Sequence, residues 1–152
     1  MLSERWFERD LVGDTFIATY ADGLCDVPLD RLVAHHKASG GMATITSVPM
    51  WSNYGVLTLA DNGKVEQLQE KPLIPDLWIN AGFIAFKKEV FNHWQGQNLE
   101  KEVLPNLIAR GLVSSYRHEG FFKSVDHYKD ILEFEELLEA GQRPWDVVSV
   151  PA

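Results

Sequence analysis

The stretch FIATYADGLCDV at residues 16–27 begins as an apolar, strand-like run and ends in an Ala-Asp-Gly turn. An aspartate at the carboxyl end of a buried strand, followed at once by a glycine, is where α/β proteins often hold a metal ion or a phosphate. A simple turn aspartate ahead of a glycine is the commoner meaning of this pattern. Both interpretations of Asp22 stay open on the local sequence alone.

Strand and helix patterns alternate along the rest of the chain. Helical spacing of apolar residues predicts helices over 28–39 and 128–140, and Asp61-Asn62-Gly63 between two alternating arms predicts a hairpin. Further strands are expected at 15–20, 42–48, 78–87 and, as one or two strands, at 113–125, with helices from Ser3 to about Gly13, near Lys88 and at 99–111. This order predicts an α/β fold with a mixed sheet flanked by helices, in a single domain spanning 1–152.

Composition restricts the function classes. Of the 152 residues, 45% are hydrophobic and 24% charged, and the net charge is −8. An acidic chain argues against a nucleic-acid partner or an anionic membrane surface, because both bind basic patches. No apolar run is long enough to span a bilayer. Cys25 is the only cysteine, which excludes an intramolecular disulfide and favours a reducing, cytoplasmic location.

Four polar residues are candidates for a site. Asp22 and Asp126 are expected to lie on different elements and would suit Mg²⁺ as hard oxygen ligands, although Asp126 also precedes the last helix, where an N-cap is the alternative. Lys71, in QEKP, is either a solvated charge or a cation directed at a phosphate. Asn80 lies mid-strand in WINAGF, where asparagine is rare and a buried amide needs partners, either a ligand or the backbone.

Two other features are expected to be structural. Asp26 is placed to cap the helix that follows Pro28. Cys25 is expected to be a buried, inert thiol, and no histidine, cysteine and aspartate spacing in the sequence matches a zinc site.

Five ordered motifs together resemble the sugar-1-phosphate nucleotidyltransferases, and most of all the glucose-1-phosphate cytidylyltransferases. The resemblance runs from about residue 10 to residue 146, and its motifs are YADG (20–23), GKVEQLQEKP (63–72), WINAGFIAFKKEVF (78–91), LEKEVLPNLIARG (99–111) and YRHEGFFKSVDHYKD (116–130). It implies a Rossmann-like fold and the joining of a sugar 1-phosphate to a nucleoside triphosphate, with release of pyrophosphate. It also implies that Asp22 and Asp126 hold Mg²⁺, that Lys71 contacts the sugar phosphate and acts in catalysis, and that Asn80 binds the sugar.

The chain also departs from the family pattern. It has no G-x-G spacing, and therefore lacks the G-x-G-T-R loop with which the family grips the triphosphate. Ala21 and Ala81 stand where the family has glycine, and a methyl group there is expected to narrow the space for a ligand. The chain is thus expected to be a truncated Rossmann-like fold that corresponds to the metal and sugar-phosphate half of the family. It is expected to need a partner for nucleotide transfer, or to act as a non-catalytic sugar-phosphate-binding or assembly module.

The flank of the sheet along FIATY is expected to be exposed. An unpaired apolar edge invites pairing with another chain, so a homo-oligomer is the expected state.

Overall fold

The computed structural model describes residues 11–146 of the chain. The helix predicted to begin at Ser3 falls outside the described residues. Within them the strands are β1 (Thr15–Ala18), β2 (Gly23–Cys25), β3 (Ala43–Trp51), β4 (Val56–Leu59), β5 (Val65–Gln69), β6 (Leu73–Lys87), β7 (Val113–Arg117) and β8 (Phe122–Ser124). The α-helices are α1 (Leu29–Ser39), α2 (Leu104–Ala109) and α3 (Tyr128–Glu139), with a 3₁₀ turn at Lys88–Asn92 and a π-helical turn at Leu99–Val103.

The central sheet has four strands in the order β1-β6-β3-β7. β6 pairs antiparallel with β1 and with β3, whereas β7 runs parallel to β3. The predicted mixed sheet is therefore confirmed. Among the described strands, β1 lies at an edge of this sheet, on the flank that the sequence predicts to be exposed.

Two two-stranded units complete the fold. β4 and β5 form the predicted hairpin, in which Leu57 lies opposite Leu68. β2 and β8 form an antiparallel ribbon in which Gly23 lies opposite Ser124 and Cys25 opposite Phe122. The alternating segment 113–125 thus contains two strands that belong to different sheets. β2 is not predicted by the sequence, because three residues are too few to show an alternating pattern.

The core lies on both faces of the central sheet, because successive side chains of a strand point to opposite faces. Ile84 and Phe86 of β6 pack with Leu107 of α2 in one buried cluster. Ala85, between them, packs with Leu32 of α1 in a second cluster. Helices therefore cover both faces of the sheet, as the sequence predicts for an α/β fold.

The ends of the helices follow local chemistry, with one exception. Gly40 ends α1 with a left-handed φ of +71°, a conformation that favours glycine. Pro105 occupies the first turn of α2, where its missing N–H costs no hydrogen bond. Asp26 does not cap α1, contrary to the expectation: Pro28 is the N-cap, without a side-chain bond, and the Asp26 carboxylate contacts His118 instead.

Candidate functional site

The β2–β8 ribbon brings Asp22 and Asp126 to the same end of a structural unit. Asp22 immediately precedes β2, and Asp126 follows β8 after one residue, Val125. The Val125 N–H donates to the Asp22 carbonyl at 2.8 Å, which extends the ribbon beyond its last paired residues. Both aspartate side chains are exposed. Two carboxylates that lie far apart in the sequence thus become neighbouring positions of the fold.

Asp126 is not the N-cap of α3, so that alternative is wrong by one residue. His127 is the N-cap, and its N–H donates to the Asp130 carboxylate at 2.8 Å. The Asp126 carboxylate instead accepts a hydrogen bond from the Ser124 hydroxyl at 2.6 Å. The Asp126 carboxylate does not cap α3, and its hydrogen bond to Ser124 holds it beside the end of β8.

Asn80 lies on β6 but is exposed, so the expectation of a buried amide is wrong. Its side-chain oxygen accepts a hydrogen bond from the Gly82 N–H at 2.9 Å, which is the backbone partner that the sequence left as one alternative. Its side-chain nitrogen donates to the Tyr20 hydroxyl at 3.5 Å. Asn80 is therefore held in a defined orientation and remains accessible to solvent.

Tyr20 links Asn80 to the carboxylate of Glu100. Its hydroxyl donates to the Glu100 carboxylate. Burial raises the pKa of Tyr20 to about 12, with further contributions from Glu100 and from the negative charge of Asp22. The phenol is therefore protonated at neutral pH, as its hydrogen bond to Glu100 requires. We call the four residues Tyr20, Asp22, Asn80 and Glu100 the Tyr20 cluster.

Gly82 allows this cluster to form. Its φ is +77°, and a Cβ built at this position would lie 2.4 Å from Cδ2 of Tyr20. Glycine is thus needed both for the backbone conformation and for the close approach of the ring. Ala81, in contrast, is only 2% exposed. Its methyl group occupies the interior of the protein rather than the space beside Asn80.

Lys71 is separate from these residues. It is an exposed residue in the connection between β5 and β6. Its φ is +45°, and Asp76 has a φ of +58°, so the chain bends on both sides of the point where β6 begins. The hydrogen bonds and ion pairs of residues 11–146 do not join Lys71 to the Tyr20 cluster. Its predicted role stays a prediction.

The sequence did not single out Tyr20 or Glu100. A tyrosine directly before the Ala-Asp-Gly turn was a usable signal for Tyr20, since its side chain starts beside that of the candidate metal ligand. Glu100 gave no such signal. It belongs to an acidic amphipathic segment, where a charged residue is usually solvated.

The sequence also matches known proteins along most of its length. Residues 3–143 match the profile of a family described as Nucleotidyl transferase. The chain belongs to this family. The resemblance found from the motifs is therefore confirmed.

Three curated nucleotidyl transferases illustrate the similarity. A Bacillus subtilis protein named "Probable glucose-1-phosphate cytidylyltransferase" is 36% identical over 143 residues, which cover 91% of this chain and 56% of that protein. The glucose-1-phosphate cytidylyltransferase of Salmonella typhi is 31% identical, over 87% of this chain and 52% of the relative. The mannose-1-phosphate guanylyltransferase catalytic subunit beta of Dictyostelium discoideum is 35% identical, over 82% and 37%. The chain spans about half the length of the first two relatives.

A solved structure shows the same fold. HddC from Yersinia pseudotuberculosis superposes with a TM-score of 0.59 at 16% identity, over 86% of this chain and 58% of that chain. The Rossmann-like nucleotidyl transferase fold expected from the motifs is thus confirmed. Among the described helices, none is long and apolar enough to cross a membrane.

Proposed function

We propose that this chain forms the metal- and sugar-phosphate-binding half of a sugar-1-phosphate nucleotidyltransferase related to the glucose-1-phosphate cytidylyltransferases. The observation that supports the proposal is the β2–β8 ribbon, because the turn before β2 contains Asp22 and the segment directly after β8 contains Asp126. This half binds a sugar 1-phosphate before the transfer and the sugar end of the nucleoside diphosphate sugar after it. The named relatives support the chemistry of this proposal, and the β2–β8 ribbon supports the assignment of Asp22 and Asp126 to one site.

Asp22 and Asp126 fit Mg²⁺ by the chemistry of their donors. Mg²⁺ binds through one or two carboxylates, keeps several waters and completes its shell with substrate phosphates. Both carboxylates are exposed, so waters and phosphate oxygens have room beside them. A bound Mg²⁺ neutralises phosphate charge during the transfer.

The remaining residues orient the sugar phosphate. Asn80 and Tyr20 offer amide and hydroxyl groups, and Glu100 offers a carboxylate acceptor, a combination that suits the hydroxyl groups of a sugar. Lys71 supplies a point cation of the kind that binds a phosphate group. Positioning of this kind accounts for much of the barrier reduction in transfer between phosphates.

Nucleotide transfer by this proposal also needs a triphosphate grip, which these 152 residues do not contain. Polypeptide outside these 152 residues has to supply it, and the edge strand β1 is the place where it would pair with the sheet. A groove of about 530 Å³ runs beside that strand, lined by residues 13–17 and by Val33 and Lys37 of α1. The proposal includes a homo-oligomer and, because Cys25 is unpaired, a cytoplasmic location. A monomeric mass at micromolar concentration in sedimentation would exclude the homo-oligomer.

The second candidate function is a non-catalytic sugar-phosphate-binding or assembly module. Ala21, at an exposed position of the turn that carries Asp22, favours it. The buried methyl group of Ala81 gives it no support.

Calorimetric titration tests the proposal. Glucose 1-phosphate and then CDP-glucose are titrated into the protein with Mg²⁺, and the experiment is repeated with Asp22→Ala and Asp126→Ala. Saturable heat that weakens in both variants and without Mg²⁺ is expected. Asp30→Ala, which replaces an exposed aspartate of α1, is the matched control. The absence of heat from a folded sample would refute sugar-phosphate binding and leave assembly as the function.

A further inference from the structure

A second group of potential ligands lies at the other end of the ribbon. Cys25 is the last residue of β2, Asp26 follows it, and His118 follows β7. The Cys25 sulfur, a carboxylate oxygen of Asp26 and a ring nitrogen of His118 all lie within 4.8 Å of one another. The backbone path between Asp22 and Asp26 is about 13 Å along an extended strand. This Cys-Asp-His cluster is thus distinct from the candidate Mg²⁺ ligands.

We propose that Cys25, Asp26 and His118 form a site for a divalent transition metal ion of the zinc class. Cysteine, histidine and aspartate are all established ligand types for Zn²⁺, and three protein ligands with one open position form a recognised tetrahedral arrangement. The thiolate sulfur makes the site selective for Zn²⁺ over Mg²⁺. The sequence spacing does not reveal it, because His118 lies 92 residues from Asp26.

The geometry of the cluster is close to that of such a site. In a tetrahedral Zn²⁺ complex the ligand atoms are roughly 3.3–3.6 Å apart, given metal–ligand bonds of about 2.0–2.3 Å. Nε2 of His118 and Oδ1 of Asp26 are 2.6 Å apart, as a hydrogen-bonded pair. They need to separate by less than about 1 Å to admit the metal ion, and the Cys25 sulfur lies within 4.8 Å of both atoms.

Gly120 keeps the space beside these ligands open. A Cβ built on Gly120 would lie 2.4 Å from Oδ1 of Asp26 and 2.7 Å from Nε2 of His118. Any side chain here would therefore press on both ligand atoms. The His118 side chain is 11% exposed and that of Asp26 31% exposed, so solvent reaches the site from the aspartate side while the cysteine is buried.

Binding of the metal ion requires that Cys25 and His118 release protons from the atoms that become ligands. The S–H bond of Cys25 breaks, its proton passes to solvent and a metal–sulfur bond forms in its place. The proton shared between Nε2 of His118 and Oδ1 of Asp26 also leaves that contact by exchange with solvent, and His118 then binds the metal ion through the Nε2 lone pair with its ring proton on Nδ1. Burial raises the pKa of the Cys25 thiol to about 11, so at neutral pH the metal ion has to displace that proton. A bound ion would join β2 to the segment between β7 and β8.

Cobalt titration of the full chain tests this site. The protein is prepared with a chelator and a reductant without thiols, transferred to metal-free buffer and titrated with Co²⁺. A thiolate-to-cobalt charge-transfer band that saturates at one equivalent, and that Zn²⁺ but not Mg²⁺ abolishes, is expected. Cys25→Ser, which changes a single atom, should remove the band. His118→Ala should weaken cobalt binding by more than the roughly 10–100-fold loss typical of outer-shell partners.

Two matched variants serve as controls. His93→Ala removes a histidine that contacts Arg110, and Asp30→Asn changes an exposed aspartate of α1. Both should keep the full band. A missing band in the folded wild-type protein, or a band that survives in Cys25→Ser, would overturn the proposal. Zinc should also raise the melting temperature of the wild type and of Asp22→Ala but not of Cys25→Ser, which separates this site from the proposed Mg²⁺ site.

Discussion

Replacing Gly82 by alanine should destabilise the protein far more than an ordinary glycine substitution. At its φ of +77° a residue with a Cβ carries a backbone cost of about 1–2 kcal/mol. The added methyl group would also lie 2.4 Å from the ring of Tyr20, and relief of such overpacking costs about 1–3 kcal/mol more. The expected loss in the free energy of unfolding is therefore about 2–5 kcal/mol.

Gly40→Ala separates the two contributions. Gly40 has a similar φ of +71°, but a Cβ there has no neighbour within 4 Å, so only the backbone cost of about 1–2 kcal/mol applies. Urea denaturation followed by circular dichroism measures both variants under the same conditions. Their difference gives the energy of the contact with Tyr20.

A double-mutant cycle assigns that difference to the ring. In a Tyr20→Ala background the cost of Gly82→Ala should fall to about that of Gly40→Ala, which is a coupling energy of about 1–3 kcal/mol. Equal losses for Gly82→Ala and Gly40→Ala, or a coupling energy near zero, would refute the reasoning that Gly82 exists to admit Tyr20.

Three further predictions concern ionisable groups. The N–H of His127 donates to the Asp130 carboxylate and holds the pKa of that carboxyl below its ordinary value of 3.8. The stability that this hydrogen bond adds is fully present above pH 3.8 and is lost as the pH falls through the lowered pKa. The advantage of the wild type over Asp130→Asn in urea denaturation should therefore vanish in acid, and an advantage that persists there would contradict the prediction. With the pKa of Cys25 raised by burial to about 11, alkylation of the metal-free native protein should accelerate about tenfold per pH unit between roughly pH 7 and 9; a plateau near pH 8.5 would mean an accessible thiol. Burial, with Glu100, raises the pKa of Tyr20 to about 12, so the stability linked to this phenol is full below pH 10 and falls as the pH rises through 12. Phenolate absorbance of the wild type minus Tyr20→Phe should show this late titration, and a midpoint near 10 would contradict it.

Local sequence patterns were enough to predict the elements whose structure depends mainly on residues close together in the chain. The apolar face of α3 and the turn around Gly63, whose φ is +81°, both follow from nearest neighbours along the chain. The consecutive apolar residues Ile84, Ala85 and Phe86 belong to the strand predicted over 78–87, and the structure packs them on both of its faces.

Features built from distant residues were out of reach. β2 is a strand only because β8 pairs with it, and Asp26 contacts His118 instead of capping α1. The same limit applies to the Tyr20 cluster, in which Tyr20 and Glu100 lie 80 residues apart. Asp22 and Asp126 were candidates as hard oxygen ligands on different elements, but local sequence left a turn and an N-cap as alternatives, and the family motifs then favoured the metal-binding role.

The long-range pairing of the ribbon has a consequence for synthesis. Asp22 leaves the ribosome about 100 residues before Asp126, an interval of roughly 5–20 s at about 5–20 residues per second. β1 also waits for β6, since Thr15 pairs with Lys87. During that interval β2 has no β8 to pair with, and the proposed Mg²⁺ site is incomplete. Metal capture by Asp22 and Asp126 therefore has to wait until β8 has been synthesised and has paired with β2.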